Sequence, residues 1–328
     1  MKKILEQLFD NRQLTYETAK ETLTNIGQGK YNQSQIAAFL TVYLMRSISI
    51  QELAGFRDAL LDLCVKIDLS EFNTIDLCGT GGDGKDTFNI STLSAFVVAG
   101  AGYKVAKHGN YGVSSGCGSS NVLEYLGYKF TSNQDEIKKS TEDAGICFLH
   151  APMFHPAMKN VGPTRRELQT KTFFNILGPM VNPSFPKNQI VGVFNLEVAR
   201  LYAYLYQQTG SNFAIIHGLD GYDEISLTSN FKLITNQSEQ ILSPEDIGFK
   251  KISEELIKSG GSIENAANLF ISILEGKGTP EQNSVVIANS AMAIKCISGN
   301  EDFSAAVEQA SNSLLGGKAL KALKKLIH

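Results

Sequence analysis

The chain has 328 residues, of which 43% are hydrophobic and 19% are charged, and its formal net charge is −3. This composition excludes a disordered or fibrous protein, and the small negative charge gives no overall attraction to nucleic acid or to acidic membrane surfaces. Five widely spaced cysteines without a Cys-x-x-Cys pair argue against a zinc site and a disulfide framework, and they favour a reducing, cytoplasmic location.

The first 66 residues have apolar residues at helical spacing. Ser34 is a candidate N-cap for a helix over 35–46, and the run Ser49–Glu52 has the capping-box pattern of a helix that continues toward Cys64. We predict a helical domain over 1–66. A helical segment near 163–180 is expected to join this domain.

The remaining part of the chain, 67–328, predicts an α/β domain. Short β-rich runs alternate with helical stretches, and such alternation is typical of a mostly parallel central sheet flanked by helices. The predicted strands are 75–77, 103–106, 146–149, 190–194 and 213–217, and the predicted helices between them are 91–99, 118–126, 134–142 and 198–208.

The last third of the chain predicts a hairpin followed by helices. The segment 223–236 resembles two strands that turn near Ser229 and Asn230. From 262 to 328 the pattern is amphipathic and helical, and the Lys- and Leu-rich segment 317–327 is expected to pack one face on the core.

A glycine-rich run, Gly79–Gly84, follows the first predicted strand and precedes a helix that begins near Asn89, Ser91 and Thr92. Glycines allow positive φ and close approach to a ligand, and a helix start offers free N–H groups. The run is neither the nucleoside-triphosphate loop nor the dinucleotide fingerprint. It predicts a different phosphate site, in which the polar residues at the helix start cap the helix, bind the ligand or do both.

A second polar, glycine-rich segment, 107–120, follows the next predicted strand. Lys107 is a cation for phosphate, His108 and Asn110 offer directional hydrogen bonds, and Ser119 opens another helix. The carboxyl ends of parallel strands lie at one edge of a sheet, so both loops are expected to face the same crevice and to share one ligand.

Two charged pairs complete the candidate site. Asp223 and Glu224 are adjacent carboxylates that predict a magnesium site, because Mg²⁺ is typically held by one or two carboxylates together with substrate phosphates and water. Arg165 and Arg166 include a candidate clamp for a substrate carboxylate. The structural alternative for Asp223 and Glu224 is a solvated turn. The structural alternative for Arg165 and Arg166 is a charged helix surface.

Several motifs in this order resemble those of the anthranilate phosphoribosyltransferase family, and the likeness spans nearly the whole chain. The motifs are GTGGDGKDTFNIST (79–92), KHGNYGVSSGCGSSNVLEYLG (107–127), HPAMKNVGPTRREL (155–168), FFNILGPMVNP (173–183) and DEIS (223–226). The resemblance implies transfer of a phosphoribosyl group from phosphoribosyl pyrophosphate to the amine of anthranilate, in tryptophan biosynthesis.

The resemblance also implies roles for individual residues, although it assigns no catalytic residue. The phosphoribosyl pyrophosphate site would include Gly79, Thr80, Gly81, Gly82, Asp83, Thr87, Asn89, Ser91, Thr92, Lys107 and Ser119. The anthranilate site would include Gly79, His108, Asn110, His155 and Arg165. Ser91, Asp223 and Glu224 would bind Mg²⁺, up to two ions per subunit. A homodimer through the helical domain is expected, with no nucleic-acid or membrane partner.

Three positions depart from the family pattern: Tyr111 stands where Arg is common, Asn121 where Asp is common, and 169–171 replaces a Gly-x-Arg turn. Two other functions stay open at this point. A pyrimidine nucleoside phosphorylase would share the architecture and the Lys-His-Gly-Asn loop, but it would carry a different phosphate run. A non-enzymatic relative that binds nucleic acid is disfavoured by the net charge and by the carboxylates Asp223 and Glu224.

Overall fold

The computed structural model describes residues 1–112, 117–300 and 302–328. The first half of the chain forms, in order, α1 (Lys2–Phe9), α2 (Tyr16–Gly27), α3 (Gln33–Met45), α4 (Ile50–Leu63), β1 (Thr74–Gly79), α5 (Ile90–Gly100), β2 (Lys104–Gly109), α6 (Ser119–Tyr125), α7 (Gln134–Asp143) and β3 (Ile146–His150). Residues 113–116 of the second predicted loop lie outside the described residues.

The second half continues with α8 (Ala151–Phe154), α9 (Gly162–Leu168), α10 (Phe174–Leu177), β4 (Asn188–Gly192), α11 (Leu196–Tyr206), β5 (Asn212–Gly218), β6 (Phe231–Thr235), β7 (Glu239–Leu242), α12 (Ile263–Leu274), α13 (Pro280–Ser298), α14 (Phe303–Leu315) and α15 (Lys318–Ile327). Short 3-10 turns lie at Pro156–Asn160, Gly178–Val181, Glu245–Ile247 and Glu254–Ile257. Within the described ranges, no helix has the length and apolar character needed to cross a bilayer.

The chain divides into two compact units. The helical unit comprises Met1–Ile67 and Ala151–Pro183, so its second stretch begins earlier than the segment near 163–180 that the sequence suggested. Its core includes an aromatic group in which the Phe56 and Phe173 rings stack with centroids 4.7 Å apart. This stacking ties the two stretches of the helical unit together.

The capping prediction for α4 is confirmed, and that for α3 is wrong. Ser49 Oγ accepts from the Glu52 N–H, and the Glu52 carboxylate accepts from the Ser49 N–H. The helix α3 begins earlier than expected, because Asn32 rather than Ser34 accepts from the Gln35 N–H, with Gln35 returning the bond. Asn32 and Ser34 are both good capping residues, and the reciprocal bond with Gln35 favours Asn32.

The α/β unit comprises Asp68–His150 and Ser184–His328 and is built on a seven-stranded sheet of order β3-β2-β1-β4-β5-β6-β7. The first five strands in this order, β3, β2, β1, β4 and β5, run parallel to one another. β6 and β7 extend the sheet beyond β5, and each is antiparallel to the strand before it in this order. The prediction of a mostly parallel sheet flanked by helices, beside a helical domain, is confirmed. The helices α5 and α13 pack in its core, and α15 buries Ala319, Leu323 and Leu326 there.

The predicted hairpin is wrong. The antiparallel pair is β6–β7, and it turns at 236–238 rather than near Ser229. The preceding residues form a buried loop because Leu227 has φ +61° and the Ile225 main chain hydrogen-bonds to the Asn289 side chain. A left-handed leucine interrupts the extended backbone that a strand requires.

Candidate functional site

The loop after β1 follows the carboxyl end of that strand and leads into α5. Gly81, Gly82 and Gly84 have φ values of +61°, +77° and +75°, in the region that glycine tolerates best. The Thr80 N–H donates to the Gly192 carbonyl at 2.9 Å, and the Phe88 N–H donates to the Ile257 carbonyl at 3.1 Å. The loop is therefore held at both ends while its middle follows a path that suits glycine.

Asp223 packs directly against this loop. Its Oδ2 accepts from the Gly81 N–H at 2.8 Å. A Cβ atom on Gly79 would lie 2.5 Å from the same oxygen, and one on Gly192 would lie 1.3 Å from the Asp223 carbonyl oxygen. Glycine is therefore required at the ends of both β1 and β4, because Asp223 approaches these two strands too closely for a side chain.

Glu224 faces the start of α5. Its Oε1 accepts from the Ser91 N–H at 3.2 Å, and its Oε2 is inaccessible to solvent with no hydrogen-bond partner among the described residues. Asn289 fixes the adjacent main chain through the N–H and carbonyl of Ile225, at 3.1 and 2.9 Å. The second Glu224 oxygen, Oε2, is therefore held near the start of α5 and can still accept a hydrogen bond.

The carboxylates of this region have raised pKa values. Burial, and then the nearby charge of Asp83, raises the pKa of Asp223 to about 7. Burial and the charges of Asp223 and Asp83 raise the pKa of Glu224 well above its ordinary value. Burial also raises the pKa of Asp83. A cation would relieve both the burial penalty and the repulsion.

These residues fit a magnesium ion that substrate completes. Among residues 1–112, 117–300 and 302–328, no three His, Cys, Asp or Glu side chains are grouped so as to hold a metal on their own. Mg²⁺ characteristically uses one or two carboxylates, water and substrate phosphates rather than a full protein cage. The spare Oε2 of Glu224 is the observation that favours such an ion.

The loop after β2 is closed by Asn121. The Asn121 Oδ1 accepts from the N–H groups of Gly112 and Gly118 at 3.0 and 2.9 Å. A Cβ atom on Gly118 would lie 2.2 Å from the Gly112 nitrogen, so the two arms of the loop approach closely. Because one oxygen makes both bonds, the amide of Asn121 is sufficient to close the loop.

The structure brings the two loops of the α/β unit together. Asn89 occupies the N-cap position of α5, where it makes no side-chain cap, and its amide donates to the Cys117 carbonyl at 3.3 Å. Ser119 Oγ donates to the Asn110 carbonyl at 3.3 Å, and the Lys107 ammonium donates to the Leu77 carbonyl at 2.5 Å. These contacts support the prediction that both loops face one crevice.

The remaining predicted residues of this unit occupy different surroundings. Thr92 is 1% exposed within α5, whereas Thr87 pairs with Lys258 in an isolated bridge. His108 is buried at the end of β2, and Asn110 is exposed just after it. Thr80 Oγ1 is buried and has no hydrogen-bond partner in the described part of the chain.

His155 and Arg165 lie in the helical unit. His155 is buried, and burial lowers its pKa to about 4, so the ring is neutral at pH 7. Arg165 lies over the Phe174 ring at 5.4 Å and donates to Asn175 Oδ1 at 3.4 Å. Across the described residues, no carboxylate forms an ion pair with Arg165, and its neighbour Arg166 is exposed.

Sequence reasoning missed two residues that build this site. Asn289 is an isolated amide within a buried apolar stretch of α13, and that isolation is a signal that could have identified it. Gly192 gives no such signal, because its requirement arises from the Asp223 main chain, 31 positions further along the sequence.

Family models match both parts of the chain. The model described as "Glycosyl transferase family, a/b domain" matches residues 71–320, and the model described as "Glycosyl transferase family, helical bundle domain" matches residues 2–64.

Individual proteins match over nearly the full length. An anthranilate phosphoribosyltransferase of Flavobacterium psychrophilum is 62% identical over 326 residues, which cover 99% of this chain and 98% of that protein. The crystal structure of the Thermus thermophilus enzyme of the same name superposes with a TM-score of 0.92 at 30% identity, covering 98% of each chain. The Saccharomyces cerevisiae enzyme in complex with phosphoribosyl pyrophosphate and Mg superposes with a TM-score of 0.90 at 28% identity, covering 98% of this chain and 95% of that one.

Proposed function

The chain belongs to the anthranilate phosphoribosyltransferase family, and we propose that the two loops of its α/β unit bind the phosphoribosyl donor while Arg165 and His155 bind the acceptor. The enzyme transfers the phosphoribosyl group of phosphoribosyl pyrophosphate to the amine of anthranilate, giving N-(5-phosphoribosyl)anthranilate and pyrophosphate in tryptophan biosynthesis. This membership decides against the nucleoside phosphorylase and the nucleic-acid-binding relative.

The donor site rests on one observation above all: the buried carboxylates Asp223 and Glu224, which form no ion pair with the Lys and Arg side chains of the described residues, lie beside a glycine-rich loop that suits phosphate. Pyrophosphate with Mg²⁺ supplies both the cation that Asp223 and Glu224 lack and the anion that the loop suits. Thr80 adds a buried hydroxyl that has no acceptor among the described residues, and Lys107 adds positive charge from the neighbouring strand. The remaining donor residues are those of Gly79–Asp83, Thr87, Asn89–Thr92 and Ser119.

Ser91, Asp223 and Glu224 would hold Mg²⁺, up to two ions per subunit. When bound, the ion offsets the charge of the pyrophosphate group. The protein prepares this site by burying Asp223 and by directing the Gly81 and Ser91 N–H groups at one oxygen of each carboxylate. The Glu224 Oε2 then remains to face the cation.

The acceptor site is proposed from Arg165, a half-buried cation of the helical unit that forms no ion pair with a carboxylate of the described residues. Arg165 can clamp the carboxylate of anthranilate, and a guanidinium is well suited to a planar, two-oxygen group. His155 is neutral at pH 7 and can therefore offer a hydrogen bond without adding charge. Gly79, His108 and Asn110 are proposed to complete the path of anthranilate.

The chemistry requires positioning more than proton abstraction. The bond between the ribose C1 and the pyrophosphate oxygen breaks, the amine nitrogen of anthranilate bonds to C1, and an oxocarbenium-like centre develops between them. Loop N–H groups and Lys107 stabilise the negative charge of the departing pyrophosphate. The amine becomes acidic once it has attacked, so its proton can pass to water without a strong general base.

The decay of anthranilate fluorescence tests the reaction. Purified protein is mixed with phosphoribosyl pyrophosphate, Mg²⁺ and anthranilate, and each component is omitted in turn. Decay that requires all three supports the proposal. Absence of decay, with folded protein and intact donor, would count against it, and phosphate-dependent cleavage of a pyrimidine nucleoside would then be assayed.

A homodimer is proposed through the helical unit. Its exposed apolar side chains include Phe9 at 66% and Met45 at 84% exposure, together with Leu44, and these lie on α1 and α3. Sedimentation of the full chain measures the state directly, and replacing Met45 with Lys should weaken the dimer. A cytoplasmic location stays a proposal, which the five free thiols support.

A further inference from the structure

Strands β1 and β2 are neighbours in the parallel sheet, and each leads into one of the two loops of the donor site. Their main chains pair in parallel at Thr74 with Lys104 and at Ile75 with Val105. On its other side β1 stays paired with β4 as far as Gly79, and β2 stays paired with β3 in the same way as far as its own last residue. β1 and β2 therefore lie side by side just before the two loops of the donor site.

Two side chains form hydrogen bonds between β1 and β2 near these loops. The His108 N–H donates to Asp76 Oδ1 at 3.2 Å, and the Leu77 carbonyl accepts from the Lys107 ammonium at 2.5 Å. Asp76 is 0% exposed and lies in the middle of β1. A buried carboxylate is costly, so one that bonds to the neighbouring strand just below a ligand site calls for a specific explanation.

The orientation of the Asp76 carboxylate is fixed from the opposite side. Its Oδ2 accepts from Gln189 Nε2 on β4 at 3.1 Å, and the Gln189 Oε1 accepts from the Tyr206 hydroxyl on α11. A continuous buried chain of hydrogen bonds therefore runs from α11 through β4 and β1 to the main chain of β2. Such a chain holds each of its members in one arrangement.

We propose that Asp76 is a positioning residue for donor binding: by accepting the His108 N–H, it sets the place of the loop after β2 relative to the loop after β1. The inference rests on the proposed function, because the two loops are the proposed donor site. Asp76 does not touch the donor in this account. Its negative charge also partly offsets the lowering of the Lys107 pKa by burial.

The decisive comparison is between two substitutions at this position. Asp76→Ala removes the acceptor, and we expect the KM for phosphoribosyl pyrophosphate to rise roughly tenfold or more, with kcat changing less than about threefold. Asp76→Asn keeps an oxygen for the His108 N–H once the Gln189 amide turns its own oxygen toward the new amide. Its KM is expected to stay within about threefold of wild type.

Ser313→Ala is the matched control for lost stability. Ser313 is 0% exposed in the same unit, and its hydroxyl donates to the Val97 carbonyl at 2.6 Å. This variant should unfold more easily and keep the wild-type KM. The inference is overturned if folded Asp76→Ala keeps the wild-type KM, if Ser313→Ala raises the KM equally, or if Asp76→Asn is as impaired as Asp76→Ala.

A second variant decides the matter if Asp76→Ala does not fold. Gln189→Met keeps the length of the side chain but cannot hold Asp76 Oδ2, and a KM about three times that of wild type is expected. An unchanged KM would overturn the inference. Wild-type turnover is measured first, because its absence would count against the proposed function, whereas wild-type turnover with unaffected variants would count against the role of Asp76 alone.

Discussion

Each unit of this protein buries carboxylates, and the two units treat them in opposite ways. In the helical unit, Glu52 is 0% exposed, and its oxygens accept from the Leu14 and Ser49 N–H groups, the Tyr43 hydroxyl and the Arg46 guanidinium. Burial raises the pKa of Glu52, but the bonds from Arg46 and the main chain outweigh it and hold the pKa below its ordinary value.

In the α/β unit, Asp223 and Glu224 each accept a main-chain N–H, and neighbouring negative charges add to the effect of burial: that of Asp83 on Asp223, and those of Asp223 and Asp83 on Glu224. Their pKa values are raised rather than lowered. Glu52 is neutralised within the fold, so it serves stability. The α/β carboxylates lack such neutralisation, and in the proposed function a bound cation and substrate would supply it, so burying them would serve function at a cost in stability.

The largest expected effect tests this reading of the α/β unit. Asp223→Asn keeps an oxygen for the Gly81 N–H but loses the charge, and kcat/KM should fall by about a hundredfold or more because a carboxylate for Mg²⁺ is lost. Without substrate or Mg²⁺, the free energy of unfolding at pH 8 should rise, since repulsion with Asp83 is removed. Steady-state assays and urea unfolding measure the two quantities.

Asp220→Asn is the matched control. Asp220 lies three positions away and is exposed, and its Oδ2 accepts from the Thr228 hydroxyl at 2.6 Å. This variant should retain the wild-type dependence on Mg²⁺. An Asp223→Asn enzyme that kept both full activity and the wild-type Mg²⁺ dependence would remove Asp223 from the metal site.

The opposite behaviour is expected of Glu52. Glu52→Gln leaves the half-buried Arg46 without its counter-charge, and the free energy of unfolding should fall by about 3 kcal/mol. The kcat/KM should change less than about twofold, because the pair serves packing of the helical unit. Glu6→Gln removes an exposed pair with Lys2 in the same unit and should cost under about 0.5 kcal/mol.

The stabilisation from Glu52 has a defined pH dependence. Because its pKa is lowered by folding, the contribution is fully present above the ordinary pKa of a glutamate, about 4.3, and is lost as pH falls through the lower folded value. The difference in unfolding free energy between wild type and Glu52→Gln should therefore be constant near neutral pH and shrink in acid. A difference that grew in acid would contradict the assignment.

Arg165 extends the comparison to a cation that is left without a carboxylate partner. Arg165→Ala should raise the KM for anthranilate roughly ten- to a hundredfold, because one charge-assisted hydrogen bond contributes about 1.5 to 3 kcal/mol. Arg166→Ala changes the neighbouring exposed guanidinium and should leave that KM unchanged. Loss of donor binding with intact anthranilate affinity would show that Arg165 belongs to the donor site instead.

The accuracy of the sequence-based predictions depended on how local the determining contacts are. The Ser49–Glu52 capping box lies within one helical turn and was predicted correctly, and the loops after β1 and β2 follow from strand order. The hairpin prediction failed because Asn289, 64 positions away from Ile225, holds that segment as a loop. Nothing local in the sequence shows such a contact.

The same limit applies to the site. Residue types predict the phosphate loop, Lys107 and the acidic pair, since those chemistries need those groups, and these roles stay predictions. The approach of Asp223 to Gly192 and the hydrogen bond from the His108 N–H to Asp76 depend on tertiary positions, which periodicity does not encode. These contacts decide why the loops have their observed geometry.

The smallest expected effect separates the two roles of Glu52. Ser49→Ala removes the hydroxyl that accepts from the Glu52 N–H at 3.3 Å and leaves the carboxylate with Arg46, Tyr43 and Leu14. The loss should be about 1 kcal/mol, as for other helix caps, and it should not vary with pH between about 5 and 8. A loss as large as that of Glu52→Gln would mean that the cap, rather than the buried ion pair, accounts for the stabilisation. The contrast with Asp223 would then rest on helix initiation instead of on charge.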